Sequence, residues 1–219
     1  MSPYVALIQA LTDPEESVRL RAAMQAGREP SPDYVEPLVA RCGVEPDFYV
    51  RDMLTWALIQ HDHEYVIARV LPELDSPVAQ ARAQALHTLS KVGEPRVWDA
   101  ITPELLADAD DDVARTAWRA AAGLVPAESR SWLAEVLATQ WGRGGRDVQL
   151  SLSQALCSLG EAALPVINRA VVATDDEVRV HAEATKSILE NPDLAFDSAL
   201  ERAKRTHTLR GAPLVNDLD

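Results

Sequence analysis

Six segments of the chain repeat one pattern, and no other feature limits the fold as sharply. They are "ESVRLRAAMQAG", "FYVRDMLTWALI", "SPVAQARAQALHTLSKVG", "DDVARTAWRAAAGL", "RDVQLSLSQALCSLG" and "DEVRVHAEATKSIL". Each carries a valine near its start: Val18, Val50, Val78, Val113, Val148 and Val178. These valines recur at roughly thirty residues, the spacing of helical-hairpin arrays. In most segments small or apolar residues return three to four and seven to eight positions on, as Val50, Leu54, Ala57 and Leu58 do. That periodicity lines one face of a helix. A face of this kind needs a neighbour to cover it, so the repetition predicts a stack.

Ahead of each segment stands a shorter apolar-periodic run: "YVALIQAL", "YVEPLVARC", "VIARVLPEL", "VWDAITPELL", "WLAEVLATQW" and "LPVINRAVV". Four of these contain a proline, Pro37, Pro72, Pro103 and Pro165, which removes an amide donor and should kink or restart the first helix of the pair. The junctions "LTDPEES", "ELDSPVA", "ADADDD" and "ATDDEV" supply Asp, Ser and Thr as helix N-caps with acids in the first turn. Thr174 and Glu177 have the spacing of a capping box.

With the proline in the first helix and the turn "DPEESVR", carrying Asp13, Val18 and Arg19, the chain resembles the HEAT-repeat family, in the short bacterial form also found in phycobilisome-lyase-like proteins. The resemblance spans about residues 3 to 190. It implies an all-α, right-handed α-solenoid of about six HEAT-like helical hairpins, closed by a C-terminal capping helix. On this reading residues 1–208 form a single solenoid domain and 209–219, "APLVNDLD" after Gly211, a mobile tail. The resemblance also implies a ladder of polar contacts through Asp13 and Arg19, in which Arg51 and Arg179 match Arg19 by position. Ala79, Ala114 and Gln149 stand there in the other repeats.

Net charge bears on partners. At −13, with a pI near 4.8, the chain repels a phosphate backbone, so nucleic acid is not expected. No run of apolar residues is long enough to span a bilayer and no basic segment precedes the first apolar run, which points to a cytoplasmic protein with no membrane association. Cys42 and Cys157 lie far apart within helical patterns, as buried thiols of a reducing compartment do.

On the helix containing Val50, the residues Tyr49, Trp56 and His63 fall on a stripe beside the core face, with Asp52 adjacent. That stripe either packs against the next repeat or edges a groove. The expected partner-binding residues are Tyr49, Asp52, Trp56, Arg115, Trp118 and Arg119 on the second helices, since aromatic and arginine side chains dominate binding faces. The cluster His61, Asp62, His63, Glu64 offers metal-ligand atom types. A related HEAT-like enzyme, deoxyhypusine hydroxylase, holds iron through His-Glu pairs on several repeats; here only His63 and Glu64 form that dipeptide. No metal or other cofactor is therefore expected. "WGRGGRD", residues 141–147, enters a helix through glycines but lacks the Lys-Ser/Thr of a nucleotide loop.

The function expected from these features is a non-enzymatic scaffold of the bacterial HEAT type, binding a protein or peptide on the concave face formed by second helices. The alternative is sensing of a cationic or planar aromatic small molecule. HEAT-like lyase, hydroxylase and DNA glycosylase activities follow, each lacking part of its ligand set or a basic surface.

Overall fold

A computed structural model of the chain describes residues 3–191, 200–201 and 204. It divides into two compact units, Met1–Pro126 and Ala127–Asp219. In the first unit α1 (Pro3–Leu11), α3 (Pro32–Cys42), α5 (His63–Val70) and the short α7 (Pro103–Leu106) are first helices of hairpins. Their partners are α2 (Glu16–Arg28), α4 (Phe48–Leu58), α6 (Ala79–Val92) and α8 (Asp111–Leu124). The second unit contains α9 (Arg130–Ala138) with α10 (Arg146–Ser158), and α11 (Leu164–Ala170) with α12 (Asp176–Glu190). Strands are absent among the described residues.

Within each unit, every hairpin packs on itself and on the next. Within the first unit α2, α4, α6 and α8 pack successively, and α1, α3 and α5 do likewise, so first and second helices form separate layers. The second unit repeats this with α10 against α12 and α9 against α11. Hairpin stacking and the all-α class are as expected from the sequence. The expected capping helix and tail fall mostly outside the described residues.

Small side chains explain the close approach of the second helices. Ala23, Ala57, Ala114, Ala117, Ala120 and Ala121 are fully buried beside Leu54, Leu86, Leu89 and Trp118. An alanine costs little side-chain entropy in a helix and lets a neighbouring backbone draw near.

The prolines act in three ways. Pro37 lies inside α3, Pro72 opens a 3-10 turn at Leu71–Asp75, and Pro103 and Pro165 begin α7 and α11, where the missing amide has no helical partner to lose. Side-chain caps form at Asp47, Asp62, Thr102, Asp110 and Asp175. At α12 the cap is Asp175, whose carboxylate accepts from the amides of Glu177 and Val178 at 2.9 and 3.0 Å. Thr174 precedes it and is not the cap, so the expected capping box does not form.

The expected alignment of the third repeat is corrected by three residues. Val18, Val50, Val113, Val148 and Val178 occupy the third position of their helices, whereas Val78 is the exposed N-cap of α6 and Ala81 takes the buried third position. The residue matching Arg19 is therefore Arg82, not Ala79. Arg19, Arg51, Arg82 and Arg179 each donate Nη1 to a carbonyl six residues back: Asp13 at 2.9 Å, Glu45 at 2.9 Å, Ser76 at 2.8 Å and Ala173 at 2.6 Å.

Two of these arginines also reach the next turn. Arg19 pairs with Glu45 and Arg82 with Asp108, each through Nε and Nη2. The third turn has Ser76 where Glu45 and Asp108 stand in theirs, and there Gln80 donates Nε2 to the carbonyls of Cys42 and Glu45 at 2.9 and 2.8 Å. The ladder thus satisfies buried carbonyls and carboxylates at the turns.

Candidate functional site

Second helices of three successive hairpins enclose an open cleft of about 510 Å³ in the first unit. One wall is Phe48, Arg51 and Asp52 of α4; α6 contributes Ala79, Gln80, Ala83, Gln84 and His87; the other wall is Asp110, Asp112, Thr116 and Arg119 at α8. Ala79 and Ala83 on the middle helix are small, which leaves the trough between larger flanking side chains.

Aromatic surface gathers at one end. Phe48 and Tyr49 are 65% and 73% exposed and meet edge to face with ring centroids 5.6 Å apart. The Arg51 guanidinium stands 6.0 Å from the Phe48 ring centre, within cation–π range. Together the two rings form a small exposed apolar patch.

Charges in the cleft differ in how far they are already satisfied. Asp110 caps α8, accepting from the amides of Asp112 and Val113 at 2.9 and 3.2 Å. Asp112 lies 3.6 Å from Arg115. Asp52 is exposed. Arg119 donates Nη2 to the Thr116 hydroxyl at 3.2 Å. The Arg119 residue is exposed overall, yet its guanidinium is partly desolvated: burial lowers its pKa most, Arg115 adds to the lowering, and Asp112 opposes it. The His87 pKa is also lowered, first by burial and then by Lys91 and Arg119, with Asp52 opposing.

Only two of the six residues expected at a partner surface, Asp52 and Arg119, line this cleft. Tyr49 stands beside it against Phe48. Trp56 instead lies over Gly27 of α2, where an added Cβ would come within 2.4 Å of its ring, so its ring packs toward the preceding hairpin. Arg115 is partly buried and faces Asp112.

Trp118 is the clear correction. It is fully buried, and its indole Nε1 donates to the Leu106 carbonyl at 2.8 Å, tying α8 to α7. Alanine-rich neighbours leave room for the largest side chain at the centre of this layer, and the indole dipole finds a carbonyl at a helix end. A tryptophan so placed is a core residue and offers no face to a partner.

Phe48, Arg51, Gln80 and His87 were not among the expected residues. A periodic signal does connect them: positions 48, 51 and 52, then 80, 83, 84 and 87, then 112, 116 and 119, are each spaced as one helix face. The three-residue slip in the register of α6 conceals it in the sequence.

The histidine cluster serves local structure. His61 is buried, with Nδ1 2.8 Å from the Ala57 carbonyl and Nε2 accepting from the Ser31 amide at 3.3 Å. Asp62 caps α5, the His63 ring lies 3.3 Å from the Ile59 carbonyl, and Glu64 pairs with Arg96 at 2.5 Å. Burial pushes the Cys42 thiol up to about 12 and the Cys157 thiol to about 11, far from the thiolate a nucleophile needs. No helix among the described residues is long and apolar enough to cross a membrane.

Comparison of the sequence with known families finds helical repeats in the first part of the chain. The sequence model of the family described as HEAT repeats matches residues 4–89. No curated protein matches. Among solved structures, human deoxyhypusine hydroxylase in complex with glycerol is similar at 15% identity and a TM-score of 0.46, covering 94% of this chain and 96% of that one. The complex of CpcE and CpcF of phycocyanin lyase from Nostoc sp. PCC7120 is similar at 12% identity and a TM-score of 0.39, covering 94% of this chain and 95% of that one.

Proposed function

We propose that this chain, a HEAT-repeat protein over residues 4–89, binds a partner protein or peptide along the second-helix face of its first unit and does so without catalysing a reaction. The observation that carries the reading is the open cleft running across α4, α6 and α8 with Phe48 and Tyr49 exposed at one end. An elongated groove edged by aromatic anchors and charged groups suits an extended or helical segment of another chain. Asp110 and Asp112 are engaged in a helix cap and an ion pair, a commitment that favours recognition over proton transfer.

A photo-crosslinking residue placed at Tyr49, compared with one at the exposed Tyr65 of α5, tests this in the native host. Protein adducts should form at Tyr49, and Phe48→Asp should remove them without lowering the melting temperature. Equal adducts from both positions, or adducts indifferent to Phe48→Asp, would overturn it.

The volume of the cleft, about 510 Å³, also falls in the range of small-molecule sites, which supports sensing of a cationic or planar aromatic compound as a second reading. Thermal shifts against a panel of such compounds separate the two: a rise that Asp52→Asn abolishes favours the small molecule.

A further inference from the structure

The cleft carries a more specific chemistry at its α8 wall, an inference resting on the partner-binding reading. We infer that Arg119, with His87 beside it, receives the carboxylate of an aspartate or glutamate side chain on the partner segment. In a chain of net charge −13 the simpler expectation is a site for cations. The local geometry argues the opposite.

Each carboxylate of the cleft is accounted for in a way that weakens its pull on a ligand. Asp110 is held by two backbone amides at the start of α8, where the helix dipole offsets its charge. Asp112 faces Arg115. Asp52 is exposed, so water and salt screen it.

Arg119 differs from them. A guanidinium has five N–H donors, and among the described residues Arg119 makes one hydrogen bond, to the neutral hydroxyl of Thr116. It pairs with no carboxylate among the described residues. Its group is partly desolvated, and Arg115, Asp112 and His87 lie close enough for charge to be felt between them and Arg119. A planar fork with free donors, in a partly dry setting, matches the two oxygens of a carboxylate. Phe48 and the small Ala79 and Ala83 of the same cleft leave apolar surface for the residues flanking that acid.

Two short peptides, acetylated and amidated at their ends, test this when titrated into the full-length protein. They share the sequence Ala-Leu-X-Leu-Ala, with X as Glu in one and Gln in the other, and NMR follows the Arg119 Nε–H and the His87 ring. The Glu peptide should shift both signals, and its charge should raise the His87 titration point, which burial lowers first and Lys91 and Arg119 lower further against Asp52. The Gln peptide should bind at least about tenfold more weakly, and Arg119→Gln should erase the difference.

Equal effects of the two peptides, or no shift of Arg119 and His87 at millimolar concentrations, would overturn the inference. So would acetate alone reproducing the full shift, which would identify a site for bare anions. If the inference fails while Phe48→Asp still removes the Tyr49 crosslinks, partner binding stands and only the carboxylate assignment falls.

Discussion

The Arg19 guanidinium closes on the Glu45 carboxylate through two hydrogen bonds of 2.8 Å each, joining the first hairpin to the turn of the second. Glu45 is fully buried and also receives Nε and Nη2 of Arg41 and the amide of Asp47. Burial by itself would raise this carboxyl group. The hydrogen bonds from Arg19, the Asp47 amide and Arg41 outweigh it and hold the pKa at about 2.

Glu45→Ala leaves Arg19 buried without its anion, and the expected loss is about 3–5 kcal/mol in a denaturant titration. For the natural protein the depressed carboxyl contributes stability that is complete above the ordinary range near 4.5 and disappears as pH falls through about 2. Glu45→Gln should flatten that acid limb of the stability curve.

Gly27→Ala tests the seat of Trp56. The new methyl would lie 2.4 Å from Cζ3 of the ring and 3.0 Å from the Ala57 Cα, so a large ring or the helix backbone must shift. A cost of about 1–3 kcal/mol is expected. Trp56→Leu in the same background should recover part of it, whereas unchanged thermal melts for Gly27→Ala would show that the ring sits elsewhere.

His181 of α12 ties the two hairpins of the second unit together. Its Nδ1 accepts from the Gly142 amide at 3.2 Å, so Nε2 carries the proton, lying 2.9 Å from the Gln149 carbonyl and 3.1 Å from the Ser153 hydroxyl. Trp141 packs edge to face on the ring. Burial lowers its pKa to about 4 despite the hydrogen bond to Gln149. The unfolded chain binds this proton first on acidification, so stability is whole above about 6.5 and falls between there and 4, by roughly 3 kcal/mol in all. His181→Gln should be less stable at neutral pH and lose this slope, as urea titrations across that window would show.

Trp118 and Tyr49 should respond oppositely to truncation. Trp118→Ala empties the centre of the second-helix layer and leaves the Leu106 carbonyl without the indole donor, for a loss of about 3–5 kcal/mol. Tyr49→Ala removes a ring that is 73% exposed, so a change within about 0.5 kcal/mol is expected. Calorimetry on the two variants decides this.

The all-α class, the hairpin stack and the identity of first and second helices were legible in the sequence because apolar periodicity at 3.6 residues, recurring at a fixed interval, admits few other folds. Arg19, Arg51 and Arg179 were also legible as one structural set, since each follows its valine in a regular turn. What only the tertiary structure decided is which polar side chains meet. Val78 imitates the repeat valine while Ala81 occupies its place, so Arg82 and the cleft face of α6 were hidden. Glu45 looks like any loop acid until Arg19 and Arg41 converge on it. Trp118 and Tyr49 both occupy second helices, yet one is buried and the other bare, because exposure depends on the neighbouring hairpin as well as on the helix that carries the residue.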